Sequence, residues 1–221
     1  MATASSNASA NVDPLATVAT LTRLPDHGLG GRRKRRPERH DEILSAAVRL
    51  FHARGYHSTS VDDIADAVGV SPTAVYRHFR NKQEILDTAA LWAGEQLSES
   101  LSGVDESLPA ERRLERLVDD FVRMALKFPT FVDLVTREFH ALSPEARVLS
   151  IQRRENFVAG YTATLREVVQ GLSPEDAELH VHLVIALICS VTTYRDHDRK
   201  RVAASVKAAA MAALLNGHAG R

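Results

Sequence analysis

SVDDIADAVGVSPTAVYRHFRNK, residues 60–82, decides how the chain is read. Two short apolar patterns flank one glycine: Ile64, Ala65 and Val68 before Gly69, Val70 and Val75 after it. Ser60 supplies a capping hydroxyl, and Asp62 and Asp63 fall in the electropositive first turn of the helix that follows. Gly69 sits in the turn, where a left-handed backbone costs little. Ser71 and Pro72 open the next helix as a cap and a proline at its first position. Ala65 is small where two helices have to cross closely. Ile64, Val68, Val70 and Val75 can then meet as one small core. Four residues separate the two patterns, the spacing of a helix-turn-helix. The second helix keeps Thr73, Ala74, Tyr76, Arg77 and His78 for its other face. A helix of this width fits the major groove of DNA, leading with its N-terminal residues.

Outward from this stretch the pattern stays helical. Ile43, Leu44, Ala47, Leu50 and Phe51 form the stripe of a first helix over 37–54, stopped by Gly55. A fourth helix opens at Asn81, with Glu84 three residues on, and runs to Leu101. Pro109, Pro129, Ser143-Pro144-Glu145 and Ser173-Pro174-Glu175-Asp176 each start another, predicting helices over 109–127, 130–142, 144–170, 174–195 and 198–216. No run shows strand alternation between hairpin turns, and no repeat is present. The fold class expected is all-α, with about nine helices. An N-terminal three-helix helix-turn-helix domain (37–82) precedes a C-terminal helical domain (83–217) for ligand binding and dimerisation. Residues 1–36, rich in Ala, Ser, Thr and Asn, read as a disordered arm ending in a basic segment, 32–39.

Composition narrows the function classes. The 221 residues carry 28 cations and 28 anions, yet RRKRRPER (32–39) holds six cations and one anion. Such a block binds polyanions or simply keeps a tail soluble. Cys189 is the only cysteine, so no disulfide framework exists within the chain, which fits a reducing cytoplasm. Its apolar run, LVIALICSV, is nine residues, against roughly 20 for a membrane span. The N-terminus lacks a basic start followed by an apolar block, so no secretory signal is expected. DHD (196–198) and the pair His180 and His182 look metal-like, but residues two apart on a helix point in different directions, so His180 and His182 cannot easily chelate. With no nucleophile motif, phosphate loop or HExxH, neither catalysis nor a metal nor a cofactor is expected.

The run from Ile43 to Leu86 resembles the TetR family of one-component bacterial regulators. The resemblance rests on Arg54-Gly55-Tyr56 after the first helix, Thr59-Ser60, DIADAVGVS, Tyr76-x-His78-Phe79, and Asn81-Lys82 ahead of Ile85-Leu86. It implies that Thr73, Ala74 and Arg77 lie nearest base edges, with Ser71 and Pro72 at the start of the recognition helix. It implies that Tyr76, His78, Lys82 and Thr59 or Ser60 contact phosphates. Phosphate contacts fix register and groove contacts carry sequence, which supports that division. Two alternatives stand beside it: Tyr76 packs on the first helix, or His78 is only a helix-end residue. Phe79 is expected in the core. Arg32, Arg33, Lys34, Arg35 and Arg36 are expected to enter a minor groove.

The second half suggests pairing and sensing. The helix AELHVHLVIALICSVTTY is apolar nearly all round. One face has Leu179, Leu183, Ala186, Leu187 and Tyr194; another has Val181, Ile185, Ile188 and Thr192. The last helix has a stripe of Val202, Val206, Ala209, Ala210, Ala213 and Leu214. Helices eight and nine are expected to form a four-helix homodimer interface, as the resemblance also implies. A double-stranded, palindromic operator would match that symmetry. Phe121, Met124, Phe131, Val135, Phe139, Phe157, Tyr161, Val184 and Ile188 are expected to line a cavity for a small apolar effector, each with plain core packing as its alternative. Arg137, Glu138 and His140 would hold a polar head or form a solvated face. A constitutive DNA-binding protein is the rival reading, favoured by a filled C-terminal core.

Overall fold

The computed structural model describes residues 39–194 and 197–216. Among them the chain is all-α, with helices α1 (Arg39–Arg54), α2 (Val61–Val68), α3 (Pro72–Tyr76), α4 (Lys82–Ser102), α5 (Ala110–Lys127), α6 (Pro129–Arg137), α7 (Pro144–Val168), α8 (Pro174–Cys189) and α9 (Arg199–Asn216). The expected arm, residues 1–36, and positions 37 and 38 lie outside the described residues.

The start signals act as written. Ser60 and Asp63 make a reciprocal capping box on α2: Ser60 Oγ accepts from the Asp63 N–H at 3.0 Å, and Asp63 Oδ2 accepts from the Ser60 N–H at 2.8 Å. The Ser60 hydroxyl and then the Ser60 N–H, both donating to Asp63 Oδ2, and the Arg54 guanidinium 3.1 Å away hold the Asp63 carboxyl below its ordinary range. Gly69 adopts φ +66°, and a Cβ there would meet nothing within 4 Å. Its need is thus backbone freedom, not space. Asn81 Oδ1 caps α4 from the Glu84 N–H at 2.8 Å, but Glu84 returns its carboxylate to the Arg80 N–H, not to Asn81.

Two helix ends fall earlier than periodicity predicts. α6 stops at Arg137, and Phe139–Ala141 tighten into a 3-10 turn; α8 stops at Cys189, and Ser190–Thr193 do the same. Taken through that turn, Pro174–Thr193 is 20 residues of mean hydropathy 1.3, long and apolar enough by length and composition to cross a membrane. The nine-residue run understates it. Its faces nevertheless differ. Ala177, Val181, Val184 and Ile188 are buried, whereas Leu179 and Leu183 are 55% and 58% exposed and Ala186 is exposed beside them.

The α9 stripe divides otherwise than expected. Val202, Val206, Ala210 and Leu214 turn inward, while Ala209 is exposed and Ala213 half-buried. The bulkier residues take the core, and the outward face is Ala204, Ser205, Ala208, Ala209 and Ala212.

Packing falls into two clusters. The first joins Ile43, Leu44, Phe51, Ile64, Val75 and Phe79 to Ile85, Trp92, Phe131, Leu134 and Leu142. The second joins Leu114, Phe121, Phe157, Tyr161 and Leu165 to Val181, Val184, Ile188, Val206 and Leu214. They meet where α4 crosses α7. A Cβ on Gly94 would lie 2.9 Å from Arg153 Cδ, and one on Gly160 would lie 3.2 Å from Leu101 Cδ2. Arg153 donates to the Leu91 carbonyl and pairs with Glu95 at 3.1 Å across the same crossing.

Candidate nucleic-acid interface

α3 is short, and one residue seats it. Val75 is buried against α1 and α2, while Ser71, Thr73, Tyr76, Arg77 and His78 are exposed and Pro72 and Ala74 half-buried. Ser71 Oγ accepts from the Ala74 N–H at 3.3 Å, so this hydroxyl caps its own helix. Tyr76 is 53% exposed, so about half of its surface is open to solvent. Phe79 is buried as expected and stacks on His40, ring centroids 4.4 Å apart.

That stacking brings the start of α1 beside the end of α3. The His78 ring lies edge-on, 6.3 Å from His40. Partial burial, then the fields of His40 and Arg39, hold the His78 imidazole below its ordinary value. The sequence offered no local sign of this Arg39–His40–His78 corner, because its members are almost forty residues apart. Arg32, Arg33, Lys34, Arg35 and Arg36, which precede it in the chain, lie outside the described residues.

Two expected phosphate contacts are turned inward. Thr59 is buried, and its Oγ1 donates to the Gly55 carbonyl at 2.9 Å. The neighbouring Ser60 is exposed, with its oxygen on the α2 cap. Lys82 Nζ donates to the carbonyls of Tyr56 (2.8 Å), His57 (3.4 Å) and Thr59 (2.9 Å) and sits 4.3 Å above the Tyr56 ring. Its charge thus ties the α1–α2 turn to the start of α4.

The nine residues expected to line an effector cavity do not come together. Phe131, Val135 and Phe139 belong with the first cluster; Phe121, Met124, Phe157, Tyr161, Val184 and Ile188 belong with the second. In the second, Phe121 and Phe157 meet at 5.0 Å and Phe157 and Tyr161 at 4.8 Å. The Tyr161 hydroxyl donates to the Leu117 carbonyl, and burial pushes its pKa well up. Arg137 pairs with Asp133 at 3.0 Å on the surface, Glu138 accepts from the Tyr56 N–H, and His140 is exposed, so none of the three points at these aromatics. Two surface grooves mark the body: about 590 Å³ between α5 and α9, rimmed by Arg123, Lys127, Arg199 and Lys207, and about 490 Å³ between α7 and α8. Neither is lined by any of the nine. His180 is half-buried and His182 exposed, and among the described residues no three His, Cys, Asp or Glu side chains gather as a metal site; Asp196 lies outside them.

Residues 43–89 match the family described as bacterial regulatory proteins, tetR family. Beyond that segment, the structure of PfmR from Thermus thermophilus superposes with a TM-score of 0.69 at 30% identity, covering 78% of this chain and 96% of PfmR. The chain belongs to the TetR family. Among curated relatives, the HTH-type transcriptional regulator TcmR of Streptomyces glaucescens is 36% identical over 74 residues, 34% of this chain and 33% of TcmR. The chain thus spans about a third of that relative's length. The structure of AibR in complex with isovaleryl coenzyme A and operator DNA shares the fold, with a TM-score of 0.67 at 21% identity over 78% of this chain and 97% of AibR. TcmR and PfmR are both named as transcriptional regulators, not as enzymes.

Proposed function

We propose that the protein is a ligand-responsive repressor, acting in the cytoplasm, that binds a palindromic operator as a homodimer. One observation carries the DNA reading: α3 buries Val75 alone and leaves Ser71, Thr73, Tyr76, Arg77 and His78 to solvent on a cap-started helix. Thr73, Ala74 and Arg77 read base edges; Ser60, Tyr76 and His78 face phosphates, with Ser71 and Pro72 at the entry of the helix and Arg32 to Arg36 following a minor groove. The outward apolar face of α8, with the small-residue face of α9, pairs two copies, so that two α3 helices meet half-sites about 34 Å or a multiple apart.

The experiment is selection of bound fragments from random DNA, followed by substitution. Thr73→Ala and Arg77→Ala are each expected to weaken the selected site by about 1–3 kcal/mol and to relax preference at particular bases. Retained preference in both variants would refute the assignment.

His78 gives a second test. Free, its imidazole is held low and is neutral near pH 7. A phosphate beside it reverses the sign of the field, so the complex takes up a proton that the free protein lacks. Operator affinity should therefore rise as pH falls through the histidine range, by at most about tenfold per pH unit for the one proton taken up. His78→Gln should flatten that dependence in a titration series. A wild-type affinity that falls toward acid would contradict the placement.

For the effector we propose a small apolar molecule that displaces aromatics between α5, α7 and α8 and favours a DNA-incompetent arrangement of the heads. The complex of AibR with isovaleryl coenzyme A is consistent with an acyl compound. The closely packed Phe121, Phe157 and Tyr161 favour a second reading, a constitutive DNA-binding protein. Screening of acyl and aromatic compounds for operator release separates the two.

A further inference from the structure

The apolar core of the recognition head does not close on itself. It runs on through Trp92 of α4 into Phe131 and Leu134 of α6, and Leu142 and Ala146 at the α6–α7 corner. Trp92 meets Phe128 at 4.6 Å and Phe131 at 4.4 Å. A chain of polar contacts follows the same path. His52 Nε2 lies 2.7 Å from Asp133 Oδ2. The Tyr56 N–H donates to Glu138 Oε1 at 3.2 Å, and the Tyr56 hydroxyl donates to Gln83 Oε1 at 3.1 Å. Gln83 Nε2 donates onward to the Ala141 carbonyl (2.7 Å) and to Asp87 Oδ1 (3.0 Å). The Ser143 N–H donates to the same Asp87 oxygen at 3.0 Å.

We propose that Gln83, Asp87 and Glu138 are positioning residues for operator recognition: they lock the α1–α2 turn and the first turns of α4 to the α6–α7 corner, so that head and corner move as one body. The inference rests on the DNA reading above. The crossing of α4 over α7 is tied as well: Gly94 and Gly160 bring the helices close, and Arg153 spans them to the Leu91 carbonyl and Glu95. Glu138 also accounts for a residue the sequence left between two readings: it serves neither an effector head nor a solvated face, but the Tyr56 amide. What carries the coupling is an element tied to both sides by named bonds, not mere position between two sites.

The test uses the full chain. Amide hydrogen exchange and operator affinity are measured for the wild type, Gln83→Ala/Glu138→Ala, and Glu138→Gln, which keeps an acceptor oxygen for Tyr56. The double variant should exchange about tenfold faster over 55–59 and 139–143, with protection over 161–188 unchanged, and should bind the selected operator about tenfold more weakly. Glu138→Gln should stay near wild type in both. Unchanged protection in the double variant would overturn the lock. Lost protection with unchanged operator affinity would overturn its role in recognition. Should the wild type select no DNA at all, the regulator reading fails, and the exchange arm still decides whether the lock exists.

Discussion

Leu183→Glu should yield a folded single copy that no longer holds its operator. Leu183 is 58% exposed in the protomer, on the face of α8 away from the core that Val181, Val184 and Ile188 fill. A glutamate there costs the isolated protomer little. In a paired bundle the same carboxylate faces Leu179, Leu183 and Ala186 of a second copy without a cation, and an unpaired buried charge costs several kcal/mol. Association is lost first. Operator binding follows, because a single head gains nothing from a second half-site, and that linkage is worth about 10²- to 10⁴-fold. Sedimentation and fluorescence anisotropy on one preparation check both parts, with Leu183→Ala as the mild control. A variant that still sediments as a pair and binds as before would remove the α8 face from the interface.

Phe79→Ala has the other large effect, and it acts on the fold. Phe79 is buried at the junction of α3 and α4 and stacks on His40. Truncating a buried phenylalanine costs about 3–5 kcal/mol, a large share of the stability of a domain this size. The loss should be visible from a distance. Trp92, the chain's one tryptophan, lies in the same continuous cluster and is 2% exposed. Its fluorescence should therefore report the head's unfolding, with the midpoint in urea well below that of the wild type. A Trp92 transition that stays put while helicity near α3 is lost would mean that the cluster is two separate cores.

The helix-turn-helix was legible because its signals are local. Ser60 with Asp63, Gly69, and Ser71 with Pro72 each act within three or four residues, and each is found in the geometry its chemistry predicts. Thr59 and Lys82 were misread for the opposite reason. Their partners are backbone carbonyls of one turn, and for Lys82 that turn lies 23 to 26 residues away, so no periodicity marks them. The aromatic set was ambiguous in principle, since core and cavity ask for the same residues at the same spacing; packing splits it between two clusters. In α9 two rows of small residues compete, and the slightly larger Val202, Val206 and Leu214 win the interior. The α6–α7 corner, expected as helix to 142, tightens into a 3-10 turn over Phe139–Ala141, which no residue in TREFHAL marks in advance.

The continuous cluster also sets a rule for transplantation. A chimera joined after α4 would import a reader of DNA whose Ile85, Leu86 and Trp92 have lost the wall supplied by Phe131, Leu134 and Leu142, and one joined after residue 82 would leave those three behind as well. The smallest portable cassette is discontinuous: the first four helices together with the stretch from Phe128 to Ala146. Exchanging target preference between relatives is then better done by repainting the outward side chains of α3 than by swapping whole front ends.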